Sequence, residues 1–197
     1  MKTFFASDLH FGHRNILKYE PIRLKYAVYN STAFDGSFEE FQKYYNELLI
    51  RSKEGDVEAD RQVQTYLRKH DRYLIDRWNS VISNEDTVWF LGDLSLNLRK
   101  AETYARQLNG KKNMILGNHD SGSISFYQDL GFKTVSKYPI ILKQKFILSH
   151  APLEEFLNKG PFIQIYGHVH GNPNYEDKTT NSICACMERH NLTPFDF

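Results

Sequence analysis

The 197-residue chain carries 25 lysines and arginines against 24 aspartates and glutamates, and 41% of its residues are hydrophobic. That composition excludes a disordered chain, and a net charge of +1 leaves no global basic footprint for nucleic acid. No apolar run reaches the roughly 20 residues of a membrane helix, and Asp8 interrupts the N-terminal apolar tetrad too early for a signal peptide. A cytoplasmic protein without membrane contact, folded as one domain over 1–197, is the expectation.

Residues 2–6 (KTFFA) read as a first strand running straight into Ser7-Asp8-Leu9-His10. Next, Ser37-Phe38-Glu39-Glu40 fits a capping box, with Ser37 at the N-cap and Glu40 three positions on. Phe41, Tyr45, Leu48 and Leu49 then share one helical face. Beyond Gly55-Asp56, a stripe of Val57, Val63, Leu67, Leu74, Trp78 and Val81 predicts a second, longer helix through a charged background. The segment around 37–82 is therefore a helical insertion, either a cap beside a site or a hairpin on the flank. His70, among Arg68, Lys69, Asp71 and Arg72, is expected on its solvated face.

Strands follow at 87–91 (TVWFL), running into Gly92-Asp93, and at 112–116 (KNMIL), running into Gly117-Asn118-His119-Asp120. Two more, at 145–148 (KFIL) and 162–166 (FIQIY), run into Ser149-His150 and Gly167-His168-Val169-His170. Strands alternating with helices predict an α/β domain. The short basic clusters Lys111–Lys112 and Lys143/Lys145 read as solvated surface. Cys184 and Cys186 are too few for a thiolate zinc site and read as buried and inert; His190 reads as a structural turn residue.

Five of the eight histidines fall in these strand-end clusters, where an open α/β sheet binds its ligands. Together with Asp8, Asp93 and Asn118 they supply imidazole nitrogens and hard oxygens without thiolate. That mixture suits Mn, Fe, Zn or Ni and excludes copper(I) and iron–sulfur chemistry.

In order, Asp8-x-His10, Gly92-Asp93, Gly117-Asn118-His119-Asp120, His150 and Gly167-His168-x-His170 resemble the five-block signature of the calcineurin-like metallophosphoesterase superfamily. The match spans Asp8 to His170, and SDLHFGHRNI and DTVWFLGDLS are similar to small bacterial and phage members. In those, the stretch between the first two blocks is usually shorter, so the charged part near 51–72 departs from the pattern.

The resemblance implies a four-layer sandwich of two facing mixed β-sheets flanked by helices. It implies that Asp8, His10 and His170 bind one divalent ion, that Asn118, His150 and His168 bind another, and that Asp93 bridges them. Mn is the first expectation for both ions. His119 would act over the phosphate as electrostatic stabiliser or general acid, and Asp120 would orient it. The implied reaction is in-line attack on phosphorus by a hydroxide bridging the ions. His13 and Arg14 are open between substrate contact and a surface or capping role.

The expected substrate is a small phosphomonoester or phosphodiester, such as a nucleotide, acted on by a monomer or homodimer. A nuclease of the same superfamily is the alternative. A non-catalytic scaffold stands behind both, because the ligand set is complete.

Overall fold

Strand β1 (Thr3–Ala6) pairs in parallel with β2 (Thr87–Phe90), β2 with β3 (Lys111–Ile115), and β3 with β4 (Thr134–Ser136). Strand β9 (Phe195–Asp196) adds antiparallel to the free side of β1, giving a five-stranded sheet. The second sheet has the order β5 (Ile140–Leu142), β6 (Phe146–Leu148), β7 (Ile163–Tyr166), β8 (Ser182–Cys184). There only β5 runs antiparallel to its neighbour. This computed structural model describes residues 1–153, 161–175 and 181–196.

The period-2 alternation of strand side chains explains why the central strands are apolar throughout. Phe4, Ala6, Val88, Phe90 and Met114 face one side, where they join Leu74, Ile75 and Trp78 of α4 (Val57–Val81). Helices α5 (Leu98–Ala105) and α6 (Ile124–Asp129) cover that side through Ala101, Ala105 and Tyr127. Phe5, Trp89, Leu91 and Ile115 face the opposite way and meet Phe146, Leu148 and Ile165 of the second sheet. The two mixed sheets therefore face each other as expected, with helices outside. The parallel bridge Ser7–Cys186 ties the sheets at the C-terminal ends of their strands.

The insertion is a helical hairpin. Helix α3 (Phe38–Lys53) begins with the expected capping box, both reciprocal bonds present, and α4 begins at Asp56, whose carboxylate caps Ala59 N–H. Phe41, Tyr45, Leu48, Leu49 and Val63 pack with α1 (Ile16–Tyr19) and α2 (Pro21–Ala27) into a second apolar cluster. The outer half of α4 thus has its own small core, while the inner half reaches the main one. Val57 and Val81, at the ends of the stripe, are exposed.

Two expectations of solvated residues are overturned. His70 is fully buried, as is Asp71, because helical phase places His70 between Leu67 and Leu74 on the inward stripe. Lys112 is also buried, and its ammonium donates to Leu108 O at 2.6 Å. Cys184 and Cys186 are buried free thiols, as expected. His190 closes a 3-10 turn (Met187–His190) and bonds Cys184 O at 2.7 Å. Among the described residues, no helix is long and apolar enough to cross a membrane.

Candidate metal centre

The loops after β1, β2, β3, β6 and β7 bring Asp8, His10, Asp93, Asn118, His150, His168 and His170 to one end of the two sheets. The loops after β1, β2 and β7 turn sharply as their strands end. Of the nine non-glycine residues with positive φ among the described residues, five are in this set: Asp8 (61°), His10 (51°), Asp93 (61°), His168 (73°) and His170 (50°). Left-handed backbone costs a non-glycine residue of order 1–3 kcal/mol and concentrates at functional sites. Close approach of the loops demands glycine between them. Gly92 has φ +97°, and a Cβ there would stand 2.5 Å from Gly117 N and 2.7 Å from His150 Nδ1. A Cβ at Gly167 would strike Ser7 Oγ and lie 2.6 Å from Asp8 Oδ2.

The donors fall into two groups, Asp8–His10–His170 and Asp93–His150–His168, each with its donor atoms within 4.8 Å of one another. In the first, His10 Nε2 and His170 Nε2 are 3.1 Å apart, and Asp8 Oδ1 lies 3.6 and 3.5 Å from them. Asp8 Oδ2 is already engaged, accepting from Ser7 Oγ, from His168 N–H at 2.8 Å and from Cys186 Sγ at 3.3 Å. Asp8 Oδ1 is buried without a hydrogen-bond partner. In the second group, His150 Nδ1–H donates to Leu91 O at 2.7 Å, which turns Nε2 toward Asn118 Oδ1 at 2.9 Å and Asp93 Oδ2 at 3.5 Å. His168 stands edge-on to His150, with ring centroids 5.0 Å apart.

Asp93 joins the groups through one oxygen. Its Oδ1 accepts the His119 backbone N–H at 2.9 Å, while Oδ2 lies 3.6 Å from His10 Nε2 and 3.5 Å from His150 Nε2. Donors about 2.1 Å from a common divalent ion stand roughly 3.0–3.5 Å from each other, the edge of an octahedron or tetrahedron. The observed separations, together with the orphaned Asp8 Oδ1, fit that requirement and are too long for hydrogen bonds from His10 or His170 to Asp8.

Electrostatics follow burial. Burial alone would raise the Asp8 carboxyl, but the surrounding imidazoles of His10, His170 and His150 hold it well below the carboxylate range. His10 is pushed down, chiefly by burial. His170 is pushed down by burial but raised more by Glu188 and Asp8, ending above its ordinary value. Burial, with the charges of His10 and His119 behind it, lowers His13 to about 4.

The four expected neighbours of the ligands divide. His119 is exposed beside the cluster, its ring 5.5 Å from that of His10, and is in neither donor group. His13 also stands beside it, 5.7 Å from the His10 ring, with Nδ1 buried and without a partner. Arg14 turns away to the α3–α4 turn, donating to Ser52 Oγ at 2.9 Å and pairing with Asp60 at 3.0 Å. Asp120 does not orient the His119 ring. Its carboxylate accepts backbone N–H groups of Asp93, Leu94 and Gly117 at 2.7, 3.0 and 2.8 Å, bracing the two loops against each other. Burial raises that carboxyl to about 6.

Sequence reasoning missed two residues. Glu188, a buried carboxylate, contacts His170 Nδ1 at 3.1 Å, and Arg23, fully buried, pairs with Glu188 at 2.5 Å. Neither carries a local signal, since the partners are 18 and 165 residues apart in sequence.

No family model matches the chain. The crystal structure of AQ665, a protein of unknown function from Aquifex aeolicus, shares its fold with a TM-score of 0.59 at 20% identity, over 99% of this chain and 95% of that one. The gene 66 protein of Mycobacterium phage L5 is 30% identical over 122 residues, 60% of this chain but 39% of its own length. That of phage D29 is 44% identical over 55 residues, 28% of its length. The uncharacterized protein MJ1445 of Methanocaldococcus jannaschii is 31% identical over 178 residues, 87% of this chain and 70% of that protein. On that extent of similarity, the chain belongs to the same family as MJ1445.

Proposed function

We propose that the chain is a dinuclear metal-dependent phosphoesterase of the calcineurin-like type, hydrolysing a small phosphomonoester or phosphodiester such as a nucleotide. The observation that carries this reading is Asp93 Oδ2, standing 3.5–3.6 Å from one imidazole of each donor group. A single carboxylate oxygen facing two sets of ligands is the arrangement two adjacent cations need. Asp8, His10 and His170 would hold one ion, Asn118, His150 and His168 the other, with Mn the first expectation. When bound, the pair would supply a water of lowered pKa and charge neutralisation at the phosphoryl oxygens.

The chain's own residues divide the remaining work. Asp8, His10, Asp93 and His150 are buried, whereas Asn118, His119 and His168 are exposed. The phosphate therefore approaches from the exposed side. There His119 donates an imidazole proton to the leaving oxygen, and His13, its ring 5.7 Å from that of His10, stands at the substrate's edge. Asp120 keeps the two loops in register by accepting three backbone N–H groups. Two buried free cysteines support a cytoplasmic location.

The test strips the protein with chelator, restores Mn²⁺, and assays a monoester, a diester, a 2′,3′-cyclic nucleotide and an oligonucleotide. Mn²⁺-dependent hydrolysis of one of the first three is expected. Hydrolysis of the oligonucleotide alone, falling steeply with salt, identifies the nuclease instead. Metal-free protein that takes up no Mn²⁺, or loaded protein inert toward all four, overturns the reading.

A further inference from the structure

A buried chain of polar side chains runs from the helical insertion to the Asp8–His10–His170 group. Arginine only donates, which fixes the direction of the bonds around Arg23. Its Nε donates to Glu188 Oε1 at 2.5 Å, Nη1 to Leu9 O at 2.9 Å, and Nη2 to Asp8 O. Nη1 also faces His70 Nε2 at 3.4 Å. That nitrogen must accept, so the proton of His70 sits on Nδ1 and donates to Asp71 Oδ1 at 3.0 Å. Burial favours this neutral form of His70. Asp71 in turn receives Gly12 N–H at 3.1–3.2 Å, holding the turn that carries His13.

At the other end, Glu188 Oε1 receives both Arg23 Nε and His170 Nδ1. With its Nδ1 proton committed there, His170 turns the Nε2 lone pair into the space it shares with Asp8 Oδ1 and His10 Nε2. A carboxylate on the far nitrogen of a ligating histidine fixes its tautomer and orientation. The Glu188 side chain is 2% exposed and that of Arg23 is 0% exposed, so each charge depends on the other.

We propose that Glu188 is a positioning residue for the Asp8–His10–His170 group. Arg23, on α2, holds it in place while clamping the Asp8 and Leu9 carbonyls, and His70 of the helical insertion backs Arg23. The inference rests on the metal reading above and adds residues that the ligand signature does not contain.

The experiment titrates full-length protein with Mn²⁺ alone, using equilibrium dialysis, electron paramagnetic resonance and thermal melting. Wild type is expected to take up two ions and show a spin-coupled pair. Glu188→Gln is expected to weaken one ion about 10–100-fold, leave the other unchanged, and give an uncoupled six-line spectrum at Mn²⁺ levels that fill wild type. That variant strands a buried guanidinium, so the double variant Arg23→Met/Glu188→Gln, which removes both charges, is measured beside it. It is expected to melt higher than Glu188→Gln while still binding one ion weakly. A wild type that binds no Mn²⁺ pair overturns the metal reading itself. A wild-type pair with both affinities unchanged in either folded variant overturns only the positioning role. If neither variant folds at the assay temperature, the pair is structural and the proposal falls.

Discussion

One imidazole of each donor group, His10 and His150, stands 3.5–3.6 Å from the same Asp93 oxygen, but the two groups are held in different ways. Asp8 and His10 are almost fully buried, and His170 is fixed from behind by a carboxylate and an arginine carried on a helix. His150 is held by the Leu91 carbonyl and Asn118, and both Asn118 and His168 are exposed. A site needs rigid support where it must not move and openness where substrate enters. The deep half is built for the first requirement and the mouth half for the second. The proposed centre is accordingly one tight, braced position beside one exchangeable position.

The strongest test of that contrast removes what the halves share. Asp93→Asn is expected to abolish paired occupancy and turnover, because the bridging charge contributes several kcal/mol. At 1.4 kcal/mol per decade the loss is about 10³-fold or more, read from metal stoichiometry and initial rates. Full occupancy at an unchanged rate would sink the assignment of Asp93. His119→Ala comes next, slowing turnover by roughly 10²–10⁴ while both ions stay bound. Loss of an ion in that variant would make His119 a ligand instead.

His168→Ala probes the exchangeable half alone. One ion should remain bound with wild-type affinity while the second is lost on dialysis. If both ions leave together, the halves are not independent, and the contrast in their burial carries no thermodynamic meaning.

The clusters that hold the candidate donors were legible because each follows an apolar strand (β1, β2, β3, β6, β7), and the resemblance selected seven residues within them. Strands β4, β5 and β9 have two or three residues, and unlike the equally short β6 no candidate ligand follows them to mark their ends. His70 was misread from its charged neighbours, although Leu67 and Leu74, three before and four after it, already placed it inward. Asp120 was expected to serve a side chain, but its position between two loops makes backbone N–H groups its nearer donors. Arg23 and Glu188 could not be found at all, since only the folded chain brings them within 2.5 Å.

The smallest expected effect separates two arginines that both tie the insertion to the β1 loop. Arg23 does so in full burial, whereas Arg14 pairs with Asp60 across side chains 33% and 44% exposed. Water screens an exposed pair and holding it costs side-chain entropy, so such pairs contribute about 0–1 kcal/mol. Arg14→Ala should therefore shift the melting midpoint by no more than about 4 °C in a chain of this size. Turnover and Mn²⁺ stoichiometry should not change, because Arg14 reaches away from the cluster to the α3–α4 turn. A tenfold rise in KM with unchanged melting would instead return Arg14 to the substrate. The contrast between a buried clamp and a surface tie would then no longer describe how the insertion meets the site.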